Sequence, residues 1–264
     1  VWASPESFQL DEKGFPTDVA GVPPDQFTAD GQLWGNPLYN YEYMQSNGYK
    51  WWIDRIGGAS KLYDVVRIDH FRGFESYWAV PYGEKTAMNG RPGMSLISVL
   101  KNWFHNISFI AEDLGYPSPE VVQLLHDSEF PGMKILEFAF DPSESSVYLP
   151  HAYFENCVCY TGTHDNDTLK GWFDGIEPKN IEMAKEYLGL NAEEGYLKGI
   201  IRGGMASVAR LFVAQMQDYL EIDNTARINT PGTPDGNWRW RMTADQIPEG
   251  LSKWLAHITK LYNR

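Results

Sequence analysis

Four short apolar runs, each ending in acidic residues, constrain the fold of this chain more than any other feature. They are "YDVVRIDHF" (residues 63–71), "ISFIAEDLG" (107–115), "MKILEFAFD" (133–141) and "NCVCYTGTHDND" (156–167). Each is largely continuous rather than alternating, the pattern of strands covered on both faces. Stretches with helical marks separate and follow them. "SPEVVQLLHDS" offers Ser118 as N-cap with Pro119 in the first turn. "NIEMAKEYLGL" and the long "EGYLKGIIRGGMASVARLFVAQMQDYLEI" come next, and "PEGLSKWLAHITKLYN" closes the chain with Leu251, Trp254, Leu255, Ile258 and Leu261 at helical spacing. Strands alternating with helices predict an α/β fold on a parallel sheet. A closed barrel needs eight strands. The residues support four, or five with "TARINTPG", so the expectation is a (β/α)8 TIM barrel that is incomplete here, its N-terminal strands absent from the chain. Residues 1–264 are expected to form a single portion of such a barrel, with a long ordered loop region over 1–60 and βα units over 61–264. The loop region is dense in Gly, Pro, Asp and Asn, and Phe15, Phe27, Trp34, Tyr39 and Tyr41 argue that it is ordered.

Charge excludes some partners. The net charge is −13, whereas binding nucleic acid or an anionic membrane calls for clustered Lys and Arg. A neutral or cationic ligand suits this surface. Aromatic residues make up 14% of the chain, most of them expected in the core, with an excess left for a ligand-facing platform. Cys157 and Cys159, two apart on a strand, point to one face and read as buried reduced thiols. No CxxC or His/Cys cluster suggests structural zinc. Residues 1–10 have neither a basic nor an apolar leader region, and no run approaches ~18 apolar residues. A soluble intracellular protein is expected, cytoplasmic or, in a plant, plastidial.

The acids at the strand ends carry the chemistry. They are Asp69, Glu112 with Asp113, Asp141, and Asp165 preceded by His164. Taken singly, each is more often an N-cap, a solvated loop residue or half of a structural ion pair. Acids after four successive strands form a constellation, because catalytic groups in such folds sit where strands end and closure would point them into one mouth. Without a metal-ligand pattern, a mouth of carboxylates suits glycoside chemistry: one attacks or stabilises an oxocarbenium-like centre, another delivers a proton to the leaving oxygen. Arg67, two residues before Asp69, shares its strand face and favours the ionised carboxylate of a nucleophile. Glu112 follows "SFIA" with no basic neighbour in sequence. Burial and nearby carboxylates would raise its pKa, as a general acid requires. His164 and Asp165, after "TGT", suit hydrogen bonding to sugar hydroxyls.

Together "VVRIDHFRGF", "IAEDLG", "FPGMKILEFAFD" and "YTGTHDNDT" resemble the signature segments of the amylomaltases, or disproportionating enzymes. These are the 4-α-glucanotransferases of glycoside hydrolase family 77, in the α-amylase clan. "VAGVPPDQFTADGQLWGNPLY" and "ARINTPGTPDGNWRWRM" resemble the same family, and the likeness covers nearly the whole chain in order. The resemblance implies that Asp69 is the nucleophile, Glu112 the acid/base, and Asp165 the group that holds the distorted sugar in the transition state. Arg67 and His164 match positions that contact the nucleophile and sugar hydroxyls. Gln32, Trp34 and Phe27 fall on the glucan-contacting loop, and Asp141 and Asn229 at further subsites. Implied substrates are malto-oligosaccharides and starch- or glycogen-type α-glucans, with no metal and no organic cofactor. Two departures stand out: "MNGRPGMSL" is shorter than the family's segment there, and Gln26 replaces a frequent tyrosine. Three rivals stay open: an α-glucan hydrolase of the clan, an inactive glucan-binding fragment, and a metal-dependent hydrolase using "RIDH" and "THDND" as ligands.

Overall fold

A computed structural model describes residues 1–22, 31–82, 93–115, 118–143, 145–233 and 235–264. The chain divides into two compact units, Val1–Gly132 and Met133–Arg264.

The first unit holds β1 (Asp18–Val22), β2 (Gln32–Pro37), α1 (Tyr41–Ser46), α2 (Lys50–Ala59), β3 (Val65–Ile68), β4 (Trp78–Pro81), α3 (Gly93–Trp103), β5 (Ser108–Ala111) and α4 (Pro119–Ser128). β1 lies between β2 and β4 in an antiparallel sheet. Among its described residues, the region expected to be one long loop carries two strands and two α-helices. Its glycines misled the reading. Gly21 sits in β1, where a Cβ would come 2.5 Å from the Gln32 carbonyl oxygen. This glycine marks a close strand approach beside a bulge rather than a loop.

β3 and β5 are strands, as their apolar runs predict, and they pair in parallel. Ile68 is registered on Ala111, so the next residues, Asp69 and Glu112, leave adjacent strands side by side. α4 begins as expected, with the Ser118 side chain accepting from the Val121 N–H at 3.4 Å. Beneath the strands lies a core of Met44, Trp52, Ile56, Ile68, Phe71, Leu96, Leu100, Phe109 and Phe130. Edge-on ring contacts such as Phe71–Phe74 and Trp52–Phe74 tie it together.

β6 (Gly132–Ile135) begins on the last residue of the first unit, and the second unit holds the rest of it with β7 (Cys157–Tyr160), α5 (Leu169–Gly175), α6 (Pro178–Leu188), α7 (Tyr196–Met205), β8 (Leu211–Val213), α8 (Met216–Tyr219) and α9 (Leu251–Leu261). Its sheet runs β6-β7-β8, and β8 is parallel to β7. The single long helix expected over 194–222 is broken into α7, β8 and α8. Two contacts stop α7. Ser207 Oγ donates to the Gly204 carbonyl at 2.7 Å. The Arg264 guanidinium reaches back to the carbonyls of Met205, Ser207 and Ala209, satisfying groups that a helix end leaves open. "TARINTPG" is not a strand: Asn224–Ala226 form a short 3-10 turn and the chain then runs irregularly.

Cys157 and Cys159 are buried in β7 and are not joined in a disulfide. They join a core with Leu136, Phe140, Leu169, Ile200 and Ile201. Among the described residues no helix is long and apolar enough to cross a membrane.

Candidate active site

In the first unit, two hydrogen bonds lock the ends of β3 and β5 together. The Glu112 N–H donates to the Ile68 carbonyl, and the Phe71 N–H donates to the Glu112 carbonyl, both at 3.0 Å. Between them His70 takes a left-handed backbone (φ 48°), uncommon for a residue with a Cβ. That turn aims the His70 N–H at Glu112 Oε2, at 2.7 Å. Oε1 accepts from the Leu114 N–H at 2.9 Å. Burial raises the Glu112 carboxyl above its ordinary value and the Asp69 charge adds to this, while the two N–H groups and Arg67 oppose it. A buried carboxyl with a raised pKa fits a general acid.

Asp69 is set differently. Its carboxylate pairs with Arg67 Nη1 at 2.7 Å and its side chain is 74% exposed. The shared face expected from two-residue spacing is thus occupied by an ion pair. The ring of Trp34 stands edge-on to His70 at 4.9 Å, and its Nε1 donates to Gln32 Oε1 at 3.2 Å. A cavity of about 510 Å3 opens here, lined by Trp34, Tyr41, Trp52, Arg67, Asp69 and His70 among others. Trp34, Arg67 and Asp69 share this cavity, Gln32 is bound to Trp34, and Glu112 is bound to the His70 N–H. Phe27 and Gln26, and the start of "MNGRPGMSL", lie outside the described residues.

In the second unit, the loop after β7 presents His164 and Asp165. His164 Nε2 lies 3.3 Å from Asp165 Oδ2, and Asn229 Nδ2 donates to Asp165 Oδ1 at 2.6 Å. The Asn229 N–H also donates to the His164 carbonyl, at 3.1 Å. The irregular 227–229 segment thus clamps the loop. Arg227 completes the clamp, donating to the Asp165 carbonyl at 2.7 Å and to the Asp167 carboxylate. The Trp238 ring lies tilted against His164, with ring centroids 5.0 Å apart. Asp141 is not drawn into this group. β6 ends at Ile135 and a 3-10 turn at Leu136–Phe138 intervenes, so Asp141 lies beyond the strand end. Its carboxylate accepts from Ser143 Oγ and N–H, which holds its carboxyl below the ordinary value. The acid that directly follows β6 is Glu137, which is buried.

Sequence reasoning missed Arg227, Asp167, Glu137 and Trp238. A signal existed for Trp238, in the aromatic and arginine alternation of "NWRWRM". Nothing local marks Arg227, whose partners lie some sixty positions away. Among the described residues no group of three or more His, Cys, Asp or Glu side chains is placed to hold a metal ion.

The family model described as 4-alpha-glucanotransferase matches residues 1–246. A 4-alpha-glucanotransferase of Clostridium butyricum is 48% identical over 270 aligned residues, covering 100% of this chain and 55% of that protein. One from Streptococcus pneumoniae is 45% identical, covering 100% of this chain and 53% of its own length. The amylomaltase of Streptococcus agalactiae, solved in complex with acarbose, superposes with a TM-score of 0.94 at 39% identity, over 100% of this chain and 54% of that one. The chain spans about half the length of the curated relatives it matches. On this similarity, the chain belongs to glycoside hydrolase family 77, the 4-alpha-glucanotransferases.

Proposed function

We propose that the protein is a retaining 4-α-glucanotransferase acting on α-1,4-glucans, and that this chain supplies its nucleophile and its acid/base from a portion of a (β/α)8 barrel. The observation that carries the reading is the pair of acids leaving β3 and β5 in register, one in an ion pair and exposed, the other buried with a raised pKa. The retaining course, with one carboxylate attacking and one carboxyl protonating the leaving oxygen, is what the family resemblance implies for this pair.

In the first step Asp69 attacks the anomeric carbon and forms a glucosyl ester, while Glu112 gives its proton to the departing 4-oxygen. In the second, Glu112 takes the proton from the 4-hydroxyl of an incoming glucan or glucose, which displaces Asp69 and restores the α-linkage. Arg67 pairs with Asp69 and orients it. Asp165 and His164 bind hydroxyls of the distorted donor sugar, and Asn229 fixes Asp165 for that task. Gln32 and Trp34, with Phe27 nearby in sequence, contact the glucan, and Asp141 serves an outlying subsite. Malto-oligosaccharides and larger α-glucans are the substrates, as the acarbose bound by the Streptococcus agalactiae relative suggests.

Incubation with maltotriose tests the reading. Glucose together with maltopentaose and longer chains, lost in Asp69→Asn and in Glu112→Gln, is the expected result. Products no longer than the substrate would point to a hydrolase instead.

A further inference from the structure

Behind the Asp165 loop lies a buried acidic cluster that none of these steps uses. The Glu137 side chain follows β6, the residue is 7% exposed, and its Oε1 is buried without a hydrogen-bond partner. It packs on Gly162, where a Cβ would lie 2.7 Å from Glu137 Oε1, so the carboxyl occupies the space a side chain would need. The charged groups acting on it are Asp218 of α8, Asp167 of the β7 loop, and Arg227. Arg227 is the one cation of this set, yet each of its three nitrogens donates elsewhere: Nη1 to Asp167, Nη2 to the Asp165 carbonyl and Nε to the Asn229 carbonyl.

Asp218 is equally buried but better served. It accepts from Thr161 Oγ1 at 2.5 Å, from the Leu169 N–H at 2.8 Å and from the Gln215 N–H at 3.3 Å. Two like charges in one low-dielectric pocket do not both ionise readily. Burial raises the Asp218 carboxyl too, but these three donors oppose that rise, whereas Glu137 Oε1 has none, so the negative charge is better served on Asp218. A neutral acid costs less to bury than an anion, so the shared proton belongs on the carboxyl with the orphaned oxygen.

We infer that Glu137 is a positioning residue that stands as a neutral carboxylic acid at neutral pH, leaving Arg227 free to grip Asp167 and the Asp165 main chain. Its ionisation would set a further carboxylate against Asp218 and Asp167 and draw the guanidinium off the Asp165 loop. Burial first, then the charges of Asp218 and Asp167, push Glu137 well above its ordinary value, with Arg227 opposing. The catalytic consequence rests on the role proposed for Asp165; the location of the proton does not.

The test uses this chain, carbon-13 labelled and backbone-assigned, without substrate. The Glu137 carboxyl resonance is expected to keep its protonated shift at about pH 7, far above the ~4.3 of an ordinary glutamate. In Glu137→Gln the Arg227 and Asn229 side-chain N–H resonances should match the wild type at that pH and lose any change on further alkalinisation. The urea midpoint of the wild type should fall relative to the variant as pH rises from about 5 to about 8. A wild-type carboxyl that titrates in the ordinary range overturns the inference, as does a midpoint difference that stays flat with pH. Since neither readout involves turnover, failure of glucan transfer would leave this result standing.

Discussion

Arg67 and Asp69 form an ion pair of 2.7 Å across the end of β3, and its value lies in orientation rather than in stability. Asp69 is 74% exposed, and exposed pairs contribute about 0–1 kcal/mol. Arg67→Ala should therefore lower the unfolding free energy read from urea melts by no more than about 1 kcal/mol. It should lower kcat for maltotriose about 100-fold, because a carboxylate left to rotate loses its attacking geometry. Stopped-assay kinetics alongside urea melts separate the two effects.

Glu112 makes a prediction about pH. Its folded pKa is raised, chiefly by burial. The stability it contributes is therefore complete below the ordinary carboxylate range and is lost as pH rises through the raised value. Glu112→Gln removes that loss, so the variant should gain on the wild type by about 1.4 kcal/mol for each pH unit between the two values. Asp69→Asn should lower the pKa of Glu112, since the Asp69 charge is one of the causes that raise it. A carboxyl titration by NMR reads this directly.

Gly171 sets two effects against each other. It lies in α5, where alanine would ordinarily stabilise by about 1 kcal/mol. Here a Cβ would stand 2.1 Å from Asn224 Oδ1, the atom that accepts the Thr168 N–H at 3.0 Å. Overpacking costs about 1–3 kcal/mol, and a lost buried hydrogen bond adds about 1 kcal/mol. Gly171→Ala should destabilise by about 1–3 kcal/mol net, as thermal unfolding would show.

The thiols offer a simple check. Burial pushes Cys159 up to about 12, and the thiolate is the reactive form. In native protein near pH 8 neither Cys157 nor Cys159 should react with iodoacetamide within an hour, and both should react once urea unfolds the chain. Fast native labelling would contradict the buried placement of β7.

The places of Asp69 and Glu112 were legible in sequence, because each directly follows a continuous apolar run that forms a strand. Asp165 lies in the loop after β7, and Arg67 shows its face by two-residue spacing alone. Asp141 lies past the strand end rather than at it, since the apolar run "MKILEFAFD" passes through a strand and then a 3-10 turn, and composition does not mark where one becomes the other. β1 and β2 were hidden by glycine, which reads as a loop but serves at Gly21 as the only residue that fits. β8 was hidden inside an apparent helix because its three residues earn their conformation only by pairing with β7. The Arg227 clamp depends on contacts across some sixty positions, which no local pattern encodes.

The most direct test of the account is a mass spectrum. The chain is incubated with a fluorinated α-glucosyl fluoride, whose good leaving group lets the ester form while the ring fluorine slows its release. The account predicts one glucosyl adduct, on the peptide that contains Asp69, absent in Asp69→Asn. An unlabelled chain, or an adduct on any other residue, would contradict it.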